Sequence, residues 1–486
     1  MIKNQNSMFE NIEQIKLPLS NRIIRIEVEN LFGYLNHNIP LENDNNIAIL
    51  VGPNGYGKTT ILKIINTFSI MNLDMMAAIP FEMVRIHFKH GEILQVFREK
   101  VKEDIIQRKV VSRMSVVHNA QDHYKLTFDL ISSGYDSYQV SIPTVEVKIN
   151  LMSNMQLSQL LSDWMRITGS DFFRNRSTGE VIGRQEFLLR YEYQLSQQVM
   201  GELDEHDYEV PEWLHELAGD IEVGFICTDR LSRPMRLMYS DDEDVIEQNI
   251  QSTIAVYSKL FQKKVHQAME EMVKESQELD RSFPFRLIER TKKKKRNAKV
   301  DLWESFERLS HKRQRLIDAG FFVSDDKPFR PNEEAGKDST IKSVLLLYAE
   351  DEENKIKKLE PMLEKVELFR EILNSRFLHK KIVIDRKVGF KIVDDKGNVV
   401  PLEELSSGEK HEIVLFFDLV FRMEENVLVL IDEPELSLHI AWQVRFVDDL
   451  IKIAKNRNLQ FVIATHSPSI IHEHWDLLVD LVGGEI

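Results

Sequence analysis

Cysteine is nearly absent. Of 486 residues only Cys227 is one, which excludes an internal disulfide and any zinc site built from cysteines, and fits a reducing compartment. No window approaches the roughly 20 apolar residues that a membrane span needs. The opening stretch, MIKNQNSMFENIEQIKLPL, also lacks the apolar run of a signal peptide. A cytoplasmic protein with no membrane partner is therefore expected. Sustained heptads are missing, so a long coiled-coil arm is not expected, and no repeat of roughly 20 to 50 residues is present. Positive charge is in deficit, with 63 Lys and Arg against 78 Asp and Glu and a net charge of −15. That balance argues against a protein that coats nucleic acid evenly.

What is present reads as soluble and globular, with 43% hydrophobic and 29% charged residues. The chain is too long for one ordinary core. Strands are expected at RIIRIEVE (22–29), in NLFGYLNHNIPL and at NIAILVG, the last running into a glycine-rich loop followed by a helix, KTTILKIINTFSIM. Alternating segments from 82 to 148 point to an antiparallel lobe, and 155–220 reads as more helical. VGFICTDRLSRP (223–234) is a short buried strand ending in a polar turn. From 244 to 380 long charged segments with helical spacing suggest a helical insertion, interrupted near Pro284. A hairpin, KIVIDRKVGFKIVDDKGNVV, then leads to LSSGEK, and two buried strands, NVLVLIDEPE and LQFVIATHS, flank a helix, IAWQVRFVDDLIKIAK. The expected architecture is α/β, divided into 1–240, an insertion at 241–380, and 381–486.

Four elements carry chemistry. The stretch LVGPNGYGKTT fits GxxxxGK[ST] as Gly52, Pro53, Asn54, Gly55, Tyr56, Gly57, Lys58 and Thr59, with Thr60 following. Between a strand and a helix such a loop converges backbone N–H groups from Asn54 to Thr60 on a polyphosphate, Lys58 reaches the β- and γ-phosphates, and the Thr59 hydroxyl binds Mg²⁺. In VLVLIDEPE the apolar residues 427–431 form a strand buried on both faces, so Asp432 emerges at its carboxyl end, where it can hold the metal. Glu433, one residue on, can act as base toward the attacking water. The Ser406, Ser407, Gly408, Glu409 turn opens a helix and forms a second anion nest, although by itself it is only a good N-cap. His466, at the next strand end, could hydrogen-bond a γ-phosphate.

Together these elements resemble the ATP-binding cassette class of P-loop ATPases: GPNGYGKT, LSSGE, the Asp-Glu strand and the histidine follow one another in that order. The resemblance implies a head with an antiparallel β lobe that binds ATP with Mg²⁺. It also implies a nucleotide-sandwich homo-oligomer in which Ser406 and Gly408 of one copy meet the γ-phosphate held by another, with His466 sensing it in cis. The 350 residues between Lys58 and Gly408 are unlike the compact spacing of transporter subunits. IIRIEVENLFGYLNHNIPL and DEPELSLHIAWQ look like the RecF, Rad50 and OLD-like branch, and most of all like the ATPase subunits of the anti-phage systems Septu and PARIS. The likeness covers 22–66 and 400–474. Where that branch has a glutamine-arginine-leucine turn facing the metal, CTDRL places Asp229; Gln95 is the other candidate.

Only 20 residues follow His466, so no TOPRIM-type nuclease is expected after the ATPase, and the effector, a nuclease, is expected to be a separate protein. NHN (36–38) lacks the spaced histidines of a ββα-metal nuclease, and His472 and His474, two apart, would not share a helix face. The one strong basic run, TKKKKRNAK, offers residues 292–296 to a nucleic-acid backbone or to solvent. Two other functions fit the same residues: a RecF-like DNA-binding repair ATPase, and a scaffold that binds ATP without turning it over.

Overall fold

The computed structural model describes residues 22–101, 121–132, 138–147, 157, 164–167, 172–176, 181–183, 210–226, 250–292, 301–322, 338–385 and 388–482. They fall into two compact units, one of residues 1–225, 426–434 and 458–486, the other of 226–425 and 435–457. The stretch 241–380 lies inside the second.

In the first unit the strands are β1 (Ile23–Leu31), β2 (Leu35–Pro40), β3 (Ile47–Val51), β4 (Met83–Phe88), β5 (Ile93–Lys100), β6 (Gln121–Ile131), β7 (Tyr138–Val147), β8 (Trp164–Arg166), β9 (Phe172–Asn175), β10 (Val181–Gly183) and β11 (Val223–Ile226), then β15 (Leu428–Asp432), β16 (Gln460–Ala464) and β17 (Leu478–Asp480). Their hydrophobic period decides which sheet each joins. The alternating strands make a six-stranded antiparallel sheet in the order β2-β1-β4-β5-β6-β7. Its apolar face, with Ile26, Val28, Val84, Leu94 and Phe128, packs on helices α1 (Lys58–Ser69) and α2 (Leu73–Ala78), which contribute Ile61, Leu62, Ile65, Phe68 and Met76. The continuously apolar strands IAILV, LVLID and QFVIA are buried on both faces, as parallel strands are. They form the centre of a second sheet, β11-β15-β16-β3-β17, in which β15, β16, β3 and β17 run parallel.

Within 155–220, which reads as more helical, the described residues hold both the small antiparallel sheet β10-β9-β8 and a helix at Glu212–Asp220, and the remainder of the stretch lies outside the described residues. Strands of three and four residues are too short to impose a readable period.

The second unit contains the helices Ile250–Lys292, Leu302–Asp318, Ser339–Lys357, Glu360–Asn374, Ser407–Phe417 and Phe446–Arg457, with a three-stranded sheet β12 (Lys380–Asp385), β13 (Gly389–Asp394), β14 (Val399–Val400). The expected break at Pro284 does not occur. The first helix runs 43 residues through it, about 64 Å at 1.5 Å per residue. Proline removes the N–H that would donate to the Asp280 carbonyl, and the helix across it is tied by Arg286, which donates to the Leu279 carbonyl at 2.8 Å, to the Ser282 hydroxyl at 2.9 Å and to Asp351. Ion pairs rather than heptads align this helix with Ser339–Lys357, through Arg290–Glu350, Lys355–Asp280 and Lys358–Glu275. The expected single helix over IAWQVRFVDDLIKIAK is two pieces, Ile440–Gln443 and Phe446–Arg457.

Below the Ser407–Phe417 helix lies a cluster of edge-to-face rings, Tyr257, Phe261, Phe369, Phe390, Phe417 and Phe421. Beside it Arg376 is buried between Glu412 and Asp449, with its guanidinium 4.6 Å from the Phe416 ring centre. One cation faces two carboxylates there. Burial pushes the Glu412 carboxyl up to about 7 against the pull of Arg376, and Asp449 and Glu409 push the same way. Because the folded state holds this proton more tightly than the unfolded chain, the associated stability is complete below about pH 4.5 and is lost as pH rises through about 7, a loss of about 3 kcal/mol. Thermal midpoints measured from pH 5 to 8.5 should fall across neutrality in the wild type, and Glu412→Gln should flatten that fall. An unchanged profile in the variant would remove Glu412 as its source.

Candidate functional site

Strand register assembles the site in the first unit. Asp432 is paired with Ala464, and Ala464 with Leu50. The carboxyl ends of β15, β16 and β3 therefore lie level, and whatever follows each strand opens into the crevice where parallel sheets hold ligands. After β3 comes the glycine loop, after β15 Glu433, and after β16 Thr465 and His466. The ladder continues past the strand ends, with Glu433 N–H on the Ala464 carbonyl at 2.8 Å and Thr465 N–H on the Leu50 carbonyl at 3.2 Å.

The loop has the backbone that its glycines allow. Gly55 and Gly57 have φ of +88° and +83°, conformations that side chains resist. At Gly57 a Cβ would also lie 2.5 Å from Leu31 Cδ2, so the loop rests directly on the end of β1. Gly57 caps α1, whose first turn starts at Lys58, and the amides of that turn have no acceptor within the helix. Lys58 is 6% exposed, and its ammonium curls back on the carbonyls of Gly52 and Pro53 at 2.7 and 3.1 Å.

Thr59 and Asp432 are brought together although 373 residues separate them. The Thr59 hydroxyl donates to the Asp432 carboxylate at 2.9 and 3.2 Å. A hydroxyl and a carboxylate offered side by side are hard oxygen donors of the kind Mg²⁺ accepts while keeping several waters, so these residues fit that ion. Glu433 has φ of +42°, an uncommon conformation for a non-glycine residue that costs about 1 kcal/mol, and it turns away from the strand. It lines one cleft together with Phe32, Asn54, Gly55, Gly57, Lys58, Thr59, Thr60 and His466.

Ser406, Ser407, Gly408 and Glu409 lie in the second unit. Ser406 caps the helix Ser407–Phe417, its hydroxyl accepting from Glu409 N–H while the Glu409 carboxylate accepts from Ser406 N–H, a reciprocal capping box. Glu409 is also held by Lys380 at 2.9 and 3.0 Å. Burial would raise its carboxyl, yet Lys380 and Ser406 hold it below the usual range. Glu409 is thus committed to the turn, whereas Ser406 and Ser407 are exposed. A Cβ on Gly408 would touch the Trp442 ring at 3.4 Å. Gln95 sits on β5 between Arg85 and Asp129 of its neighbours and does not line the cleft. Asp229 and residues 293–296 of the basic run lie outside the described residues.

One cleft residue escaped the sequence reading. Phe32, with φ of +57°, lines the cleft. NLFGYLNH reads as a strand and a turn, and only the folded hairpin sets this ring beside the nucleotide loop.

Comparison with known proteins bears on the class of site. A family described as AAA ATPase domain matches residues 172–471. The chain is 36% identical over 93 residues to a protein of Escherichia coli named "Retron Ec83 probable ATPase", covering 17% of each chain. It is 37% identical over 86 residues to "Retron Vc95 probable ATPase" of Vibrio cholerae serotype O1 biovar El Tor, covering 15% of this chain and 16% of the relative. The match thus spans about one sixth of the length of these relatives. Among solved structures, the Smc head domain bound to the C-terminal domain of ScpA from Pyrococcus furiosus aligns over 92% of this chain and 90% of its own at 16% identity, with a TM-score of 0.31. The SMC head domain from Thermotoga maritima aligns over 94% of both at 11% identity, with a TM-score of 0.29. Among the described residues, no helix is long and apolar enough to cross a membrane.

Proposed function

From the premise that the chain belongs to the AAA ATPase domain family, we propose that it binds and hydrolyses ATP with Mg²⁺ in the cleft of the first unit, as the sensor or scaffold of an anti-phage complex. The observation that carries the chemistry is the contact between Thr59 and Asp432, two oxygen donors from distant segments placed beside a phosphate-binding loop. Thr59 and Asp432 would hold Mg²⁺, which when bound neutralises phosphate charge. Lys58 and the loop amides bind the β- and γ-phosphates. Glu433 orients the attacking water and takes its proton, and His466 donates to the γ-phosphate. The ring of Phe32, which lines the cleft, is available to the base.

The defence reading rests on the resemblance of the motifs to the Septu and PARIS ATPases and on relatives named as ATPases of retrons, which are anti-phage systems. In this reading two copies sandwich ATP between the loop of one and the Ser406 to Gly408 turn of the other, and nucleotide state controls a separate effector nuclease.

The deciding experiment is ATP turnover by the purified chain with Mg²⁺, with and without duplex DNA, over a salt series. Slow Mg²⁺-dependent turnover that DNA leaves unchanged is expected. Stimulation by DNA that falls steeply with salt would replace this reading with a repair ATPase. Nucleotide-dependent assembly with no turnover would replace it with a scaffold.

A further inference from the structure

Thr465, the first residue past β16, is fully buried. Its backbone N–H donates to the Leu50 carbonyl at 3.2 Å, which pins it to β3 at the root of the glycine loop. Its hydroxyl oxygen accepts from Ser467 N–H at 3.0 Å. A serine or threonine oxygen that takes the N–H two residues on closes a backbone turn with one residue at its apex. Here that residue is His466, which lines the cleft with Lys58, Thr59 and Glu433.

The connection leaves little room for another path. Strand pairing ends at Ala464 and a helical turn begins at Pro468, so the link is residues 465–467 and the Thr465 hydroxyl spans all of it. With Thr465 N–H held by Leu50 and Ser467 N–H held by Thr465, the backbone is fixed on both sides of the histidine. The direction in which the imidazole leaves the chain is fixed with it, because the backbone sets where Cβ points. Burial adds to this, since a hydrogen bond shielded from water is electrostatically stronger than one in solvent.

We propose that Thr465 is a positioning residue of the ATPase site, whose buried hydroxyl fixes the turn that aims His466 at the γ-phosphate. The inference rests on the nucleotide reading of the cleft and adds a residue that, being fully buried, touches no nucleotide. Lys58 and the loop amides hold the phosphates from the end of β3, so affinity for ATP does not pass through this turn. The hydrogen bond from His466 matters most where charge gathers on the γ-phosphate oxygens, in the transition state. Loss of the turn therefore falls on turnover rather than on binding.

Three variants test it. Thr465→Val keeps the shape of the side chain and removes the acceptor, whereas Thr465→Ser and Thr465→Ala both drop the methyl group and differ only in the oxygen. Affinity for ATP is measured by calorimetry, turnover at saturating ATP in parallel, and thermal midpoint without nucleotide for each. Thr465→Val is also made in a His466→Ala background. Expected in Thr465→Val is turnover about tenfold lower, the size of one lost hydrogen bond, with affinity within about threefold of wild type. Thr465→Ser should exceed Thr465→Ala in turnover by about the same tenfold. Without His466, Thr465→Val should change turnover by less than about twofold, because a residue that acts only through the imidazole has nothing left to position. A threonine that served stability alone would lower turnover equally in both backgrounds. Should Thr465→Val not fold, the comparison of Ser with Ala decides. Wild-type turnover in Thr465→Val, equal turnover in Ser and Ala, or the same loss with and without His466 would overturn the inference while leaving the ATPase reading intact. Absence of turnover in the wild type would end both.

Discussion

Lys58→Ala should abolish measurable ATP binding, lowering affinity by about 100-fold or more. Two losses add up in this variant. A charge-assisted contact to phosphate contributes about 1.5 to 3 kcal/mol, and each 1.4 kcal/mol is a factor of about ten. The same ammonium also ties the Gly52 and Pro53 carbonyls together, so its removal loosens the loop that presents the amides. Calorimetric titration with ATP checks the result, beside a thermal midpoint taken without nucleotide to show that the variant is folded. A folded Lys58→Ala protein that still binds ATP within about threefold of wild type would move the nucleotide elsewhere.

Glu433→Gln should have the opposite profile, with binding kept and turnover reduced by about 100- to 10,000-fold, the range for loss of a positioned general base. Gln matches Glu in shape, so the left-handed backbone at this position and its bond to Ala464 are retained. The amide still offers an oxygen to water but accepts no proton at neutral pH. A protein that binds but does not cleave should accumulate any ATP-bound assembly, which light scattering with Mg-ATP would reveal as an increase in mass over the nucleotide-free sample. Turnover at the wild-type rate in this variant would show that Glu433 is not the base.

How much of this was visible in the residues depends on the range of the forces concerned. IAILV, VLVLI and QFVIA declare themselves because a strand buried on both faces has no polar alternation, and the residue that ends such a run must lie at a sheet edge. That reasoning places Asp432, Glu433 and His466 with the loop, and register confirms it. The Ser406 cap was legible for a local reason, since a capping box is closed within four residues. Pro284 misled because the helix across it is tied by Arg286 to Leu279, Ser282 and Asp351, partners that a breaker rule does not weigh. Phe32 stayed hidden because its place in the cleft arises only when the hairpin folds against the loop.

The central sheet also sets a timetable for making the protein. The neighbours of β3 are β16 and β17, so Ala48 waits for Val462, which a ribosome adding about 5 to 20 residues per second delivers about 20 to 80 s later. Throughout that interval IAILV has no native strand beside it. A late-completed sheet is the consequence, and a nascent chain released before the last strands emerge would leave a sticky apolar segment open to aggregation.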